Sequence, residues 1–299
     1  VKLAAIDIGS NAIRFQISNA LLFRGEYAIK KIEYIRFPLR LGEDVFKEGR
    51  VGTEKLNKLE RLFSAYAALL ELYEVQDLLV YATSALREAQ NGEEVVKEIK
   101  KATGIQIEII SGLREAEIIN RVIEDKVGEG IWIHIDVGGG STELTIYRNR
   151  KKLHAESFSI GSVRRKDGLD ESDTWNGMAL WLQRSLPKKP TIVHAIGTGG
   201  NINKIAELAG VKATIPLSIK KLSSTVLKLK RMSLEERIHI AMLNPDRADV
   251  LVPAAEIYQW VMERVGATLI QVPMLGLKDG MIKVLFDKHR DSIAPSEFR

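Results

Sequence analysis

Ile135-Asp136-Val137-Gly138-Gly139-Gly140-Ser141, near the middle of the chain, repeats a phrase first met at Ile6-Asp7-Ile8-Gly9-Ser10-Asn11. Each copy lies in an alternating apolar stretch, Leu3 to Ile17 and Ile131 to Tyr147. A strand, an acidic turn and a second strand, occurring twice, predict two related half-domains facing each other. Each offers a turn able to hold phosphate. The expected class is α/β, with a mixed central sheet flanked by helices in each domain.

Working outward, the first half reads as a strand hairpin followed by helices alternating with strands. Thr53 is placed to cap a helix carrying Leu56, Leu59, Phe63, Tyr66 and Leu70. A strand is expected at Leu78 to Thr83, and Asn91 with Glu94 signals the next helix start. Ile105 to Ile110 reads as a further strand, feeding a helix from about Leu113 to Asp125. The polar, Gly-rich Lys126 to Gly130 marks a hinge, giving domains 1–126 and 127–299. The second half reads as a hairpin, a helix near Trp175 to Leu186, a strand Thr191 to Ile196 and then mostly helices. Among these, Ser233 with Glu236 forms a capping box, and Pro253 starts or kinks a helix. The last helix, Leu277 to Lys288, is able to pack back on the first domain.

The 299 residues, 45% of them apolar, allow two domains with cores of their own. The absence of cysteine excludes disulfides, thiolate metal sites and Cys nucleophiles. No apolar run approaches the roughly 20 residues that span a bilayer, and no signal-peptide pattern is present, so the expectation is a cytoplasmic protein without a membrane partner. The net charge of +5 comes with basic clusters such as Lys30-Lys31, Lys188-Lys189 and Lys228 to Arg231, which would gather a polyanion. Aromatic residues are only 6% and do not interleave with those clusters, which argues against a nucleic-acid partner and for a phosphate-rich small polymer or nucleotide.

A single Asp-x-Gly turn is ordinary hairpin chemistry; its duplication is what points to a ligand. Gly9, Gly138, Gly139 and Gly140 relax the backbone so that successive N–H groups can meet anionic oxygens. Ser10, Asn11, Ser141 and Thr142 add side-chain donors. Asp7 and Asp136 beside phosphate would repel it unless a hard cation intervened, and Mg²⁺ is the natural choice. Glu143 is either a second ligand or the group that orients a metal-bound water. A third loop, Ile196-Gly197-Thr198-Gly199-Gly200-Asn201, joins a strand to a helix start and offers the same N–H chemistry.

Two further stretches carry candidates. Ser111 to Glu117 places acids in the first turn of a helix, where Glu115 and Glu117 compete for the role of general base. Two residues apart on a helix, they cannot both face one site. Tyr81 to Glu88 leaves a strand and presents Arg87 as a bidentate phosphoryl clamp, with Arg164 a weaker analogue. The five histidines show neither ligand spacing nor a triad, and His134 reads as packed within its strand.

Taken together, these residues resemble the exopolyphosphatase and guanosine pentaphosphate phosphatase family, within the superfamily of actin, sugar kinases and heat-shock chaperones. The resemblance rests on Ala5 to Asn11, Ala82 to Ala89, Glu108 to Gly112, Arg114-Glu115-Ala116, Asp136 to Leu144 and Gly197 to Gly200. Arg247 to Pro253 and Gly276 to Gly280 extend it toward the C-terminal end. It implies two actin-like (ribonuclease H-like) domains with the active site in the cleft between them, a homodimer, and Mg²⁺-dependent hydrolysis of a terminal phosphoanhydride.

By position, the resemblance makes Glu115 the general base, Arg87 a phosphate ligand and Asp136 and Glu143 metal or water-orienting acids, with Gly138 to Ser141 gripping phosphate. Ala12, Lys278 and Asn201 depart from the family pattern. Polyphosphate is the expected substrate and guanosine pentaphosphate the alternative. More remote are an ATP-dependent kinase and a non-catalytic sensor of polyphosphate or alarmone nucleotides.

Overall fold

The computed structural model of the chain describes residues 1–187, 192–212 and 215–294; Thr191, where a strand was expected to begin, and the Lys188-Lys189 pair lie outside the described residues. The chain divides into two compact units, Val1–Val122 together with the segment from Leu277 onward, and Ile123–Gly276.

In the first unit, β1 (Lys2–Ile8), β2 (Ile13–Phe23), β3 (Glu26–Phe37), β4 (Asp77–Ala82) and β5 (Glu108–Ile109) form one sheet in the order β3-β2-β1-β4-β5. The first three strands are an antiparallel meander, while β4 runs parallel to β1 and β5 parallel to β4. The central β1 is buried from Leu3 to Ile8, as its near-continuous apolar run requires of a strand covered on both faces. Helix Thr53–Leu72 turns Leu59, Phe63 and Tyr66 inward at helical spacing, and the Tyr66 ring lies 4.6 Å from that of Phe15. Each such aromatic contributes about 1.5–3 kcal/mol by burial. Helix Leu277–His289 packs on β1, and Gly280 lets its backbone close onto the Ile118 carbonyl of helix Gly112–Ile123, where any Cβ would collide.

Local expectations are refined here. Gly52, not Thr53, holds the cap position of the long helix. Asn91 does stand at a helix cap, but its amide is spent on Val51, accepting from the N–H at 2.9 Å and donating to the carbonyl at 3.0 Å. Of the stretch Ile105 to Ile110 only Glu108–Ile109 pairs as strand; Ile105, Ile107 and Ile110 are buried from connecting backbone instead.

In the second unit, β6 (Ile131–Val137), β7 (Thr142–Arg148), β8 (Lys151–Phe158), β9 (Val193–Thr198), β10 (Leu217–Ser218) and β11 (Leu269–Gln271) form a sheet ordered β10-β11-β9-β6-β7-β8. β6-β7-β8 is again an antiparallel meander and β9 and β11 again continue in parallel, so five strands repeat the first sheet and β10 adds an antiparallel edge. Ile133, Ile135, Leu144 and Ile146 fill one face, packed with Ile257 and Val261 from helix Leu251–Val265. Pro253 lies in the first turn of that helix, where no intrahelical N–H is needed, so it starts the helix without breaking it. The Ser233–Glu236 capping box is formed in full.

The expected class is therefore realised: two mixed sheets flanked by helices. Parallel neighbours end together. In the first unit the turns after β1, β4 and β5 leave from one edge of the sheet, and in the second so do those after β6, β9 and β11. Such carboxyl edges are where open α/β sheets bind ligands. Among the described residues, no helix is long and apolar enough to cross a membrane.

Candidate functional site

In the second unit the turn after β6 closes with Gly138 N–H donating to the Ser141 carbonyl at 2.9 Å. The carbonyls of Gly138 and Gly139 accept from the backbone N–H groups of Ser162 (3.0 Å) and Val163 (2.8 Å), and that of Gly140 from Arg164 Nε (2.7 Å). In a trans peptide the C=O and the following N–H point in opposite directions. With three consecutive carbonyls drawn to one side, the N–H groups of Gly139, Gly140 and Ser141 are aimed to the other. A run of N–H groups so directed is an anion-binding nest. Gly161 is what lets the two segments meet, because a Cβ there would land on the Gly139 carbonyl. Arg164 thus builds the turn, and the Thr142 hydroxyl is likewise used internally, donating to the Ile160 carbonyl at 2.6 Å.

Asp136 and Glu143 are directly opposed across the β6–β7 hairpin, 8% and 1% exposed. Glu143 Oε1 accepts from Ser157 Oγ at 2.8 Å. Gly199, at φ 98°, lies against Asp136: a Cβ on it would come within 2.7 Å of Asp136 Oδ1. Behind it, Tyr258 Oη donates to the Thr198 carbonyl at 2.5 Å and accepts from Val137 N–H at 3.1 Å. Burial, and then the nearby Asp136 charge, push the Tyr258 phenol well above its ordinary range, so it stays protonated.

The third loop divides by residue. Gly199 borders Asp136, whereas Gly197 is small because Ile270 and Ile202 pack on it. Thr198 is fully buried with its hydroxyl 2.8 Å from His134 Nε2, an interior bond and not a surface donor. His134 is packed as expected. Burial holds it neutral, with its pKa down to about 3 from 6.5.

The first unit repeats the turn. Gly9 N–H donates to the Ala12 carbonyl at 3.2 Å, while the Ser10 and Asn11 carbonyls accept from Gly42 and Arg40 N–H at 2.8 and 3.1 Å. By the same peptide geometry the N–H groups of Asn11 and Ala12 point away from that contact. Asp7 is ion-paired, its Oδ2 accepting from Arg14 Nη1 at 2.7 Å. The guanidinium offsets the attraction of that carboxylate for a cation.

Arg87, on the short helix Ser84–Glu88 that follows β4, donates through Nη1 to the Ile110 carbonyl at 2.9 Å, which fixes it to the segment that enters helix Gly112–Ile123. On that helix Glu117 pairs with Arg114 at 3.1 Å, both half-exposed, whereas Glu115 carries a buried carboxylate oxygen. The two acids occupy different environments: Glu117 is exposed, and Glu115 is half-buried with one oxygen out of reach of solvent.

Mg²⁺ prefers one or two carboxylates supplemented by water and phosphate oxygens. The buried Asp136–Glu143 pair fits that demand, with Gly199 keeping the space beside Asp136 Oδ1 clear of side chain. Among the described residues no three His, Asp or Glu side chains gather into a closed cage. A divalent ion held here would supply charge neutralisation to phosphate oxygens. Tyr258 was not foreseen; the available signal was a tyrosine on an apolar helix stripe, whose hydroxyl must find partners when buried.

Residues 24–289 match the model of the Ppx/GppA phosphatase family, and the chain belongs to that family. It is similar to exopolyphosphatase 1 of Mycobacterium leprae, with 24% identity over 98% of this chain and 92% of that protein. Exopolyphosphatase 2 of Mycobacterium tuberculosis is 25% identical over 94% and 97% respectively. Among solved structures, an exopolyphosphatase from Cytophaga hutchinsonii superposes with a TM-score of 0.80 at 24% identity, covering 96% of this chain and 98% of that one. The Aquifex aeolicus Ppx/GppA family member gives 0.74 at 23% identity, covering 97% and 98%. These structures share the fold described above. The protein is an enzyme of the phosphatase class, whose family hydrolyses phosphoanhydride bonds.

Proposed function

We propose that the protein is an exopolyphosphatase, removing the terminal phosphate of inorganic polyphosphate in a Mg²⁺-dependent reaction. The observation that carries this reading is the Gly139–Ser141 N–H nest beside the buried Asp136–Glu143 pair, which suits a phosphoryl group and a divalent cation together. In this reading the nest accepts the oxygens of the terminal phosphoryl group, and Asp136 and Glu143 hold the ion. Arg87 adds a fixed positive charge, and Glu115 takes a proton from the attacking water. The products are orthophosphate and a chain one unit shorter, the bridging oxygen leaving with the shortened chain. The relatives named exopolyphosphatase support polyphosphate as substrate.

The test is orthophosphate release from long polyphosphate, short polyphosphate and guanosine pentaphosphate, assayed in parallel with Mg²⁺ and with a chelator. Release from polyphosphate that the chelator abolishes is the expected result. Cleavage of the nucleotide alone would replace the proposal with a guanosine pentaphosphate 5′-phosphatase. Silence on all three substrates would sink both.

A further inference from the structure

Two turns of the second unit border Asp136, and one hydroxyl joins their roots. Tyr258 is fully buried on helix Leu251–Val265, far along the chain from either turn. Its Oη accepts from the N–H of Val137, the residue after Asp136, and donates to the carbonyl of Thr198, the residue before Gly199. Thr198 is held a second time through its side chain by His134, two residues before Asp136. Asp136 is therefore flanked on both sides by residues bonded, directly or through Tyr258, to Thr198. The consequence is geometric. Gly199 carries no side chain and its backbone sits against Asp136 Oδ1, so any drift of one turn relative to the other displaces the carboxylate.

We propose that Tyr258 is a positioning residue, which sets the Gly199 turn against Asp136 and so fixes the carboxylate's orientation in the phosphatase site. A phenylalanine would fill the same apolar space but leave a buried N–H and a buried carbonyl without their partner. Such groups are costly enough to pull a turn out of place. The inference rests on the functional reading for its kinetic part and on geometry alone for its structural part.

The experiment compares wild type with Tyr258→Phe by amide hydrogen exchange without substrate and by steady-state kinetics on polyphosphate. The expected result is exchange about tenfold or more faster at Val137–Ser141 and Gly199–Asn201, with helix Ser172–Ser185 unchanged. With it, kcat falls about tenfold to a hundredfold while KM stays within about twofold. Unchanged exchange overturns the proposal. Faster exchange with unchanged kcat also overturns it, because Tyr258 would then be a structural bond only. If the variant does not fold, the Val137 amide of the wild type decides: strong protection supports the bond, and exchange as fast as in an open turn refutes it. A wild type that releases no phosphate defeats the functional reading and leaves the exchange data to judge Tyr258.

Discussion

Asp136 and Glu143 stand opposite each other on paired strands, two carboxylates facing across one hairpin in a buried setting. Two carboxylates so placed, when both are ionised, oppose folding by up to about 1 kcal/mol. A bound divalent cation would offset that repulsion. Asp136→Asn should leave the metal-free protein as stable as wild type or slightly more so, while phosphate release drops about a hundredfold or more. Thermal unfolding with and without Mg²⁺ checks the first half: the ion should stabilise wild type and have little effect on the variant.

Gly199 offers a sharper probe of the same carboxylate. Its φ of 98° and ψ of 162° suit glycine alone, and a Cβ would press on Asp136 Oδ1. Gly199→Ala should cost about 1–3 kcal/mol of stability and most of the activity. Gly104→Ala is the control, since its φ of 75° is also positive but nothing lies within 4 Å of the added carbon. That variant should lose about 1–2 kcal/mol and keep its kcat.

The pH dependence of stability follows from His134. Its folded pKa, about 3, lies below the ordinary 6.5 because burial penalises the imidazolium. Between those values the unfolded chain binds the proton and the folded one does not, so the stabilisation is complete above pH 6.5 and lost as pH falls. The loss is at most about 1.4 kcal/mol per pH unit. Nitrogen chemical shifts of the histidines should show His134 neutral at pH 5, where an exposed histidine is charged.

Much of the fold was legible because the Asp-x-Gly turns impose it. An acid at a strand end, followed by a glycine turn and another alternating run, has few solutions, and its repetition matched the two five-strand arrangements. What escaped was non-local. Asn91 has the chemistry of a cap but spends its amide on Val51, a partner no local pattern reveals. Thr198 looks like a donor in a Gly-rich loop, yet its hydroxyl is taken by His134 across the neighbouring strand. Tyr258 reads as one more apolar position on its helix, and only the tertiary fold brings it to Val137 and Thr198. The spacing of Glu115 and Glu117 required their surroundings to differ; the tertiary fold pairs Glu117 with Arg114 at the surface and buries one oxygen of Glu115.

That pair predicts a null effect. Glu117→Gln removes an exposed ion pair worth about 0.5 kcal/mol or less, and kcat on polyphosphate should remain within about twofold of wild type. A large loss of activity would mean that Glu117, not Glu115, serves the reaction.

The central claim is that Glu115 accepts the proton of the attacking water. The direct measurement is single-turnover orthophosphate release by Glu115→Gln with Mg²⁺, set beside equilibrium binding of the same polyphosphate. The account predicts binding within a few-fold of wild type and a rate lower by about a hundredfold to ten-thousandfold. Release at the wild-type rate would remove Glu115 from the chemistry and contradict the mechanism.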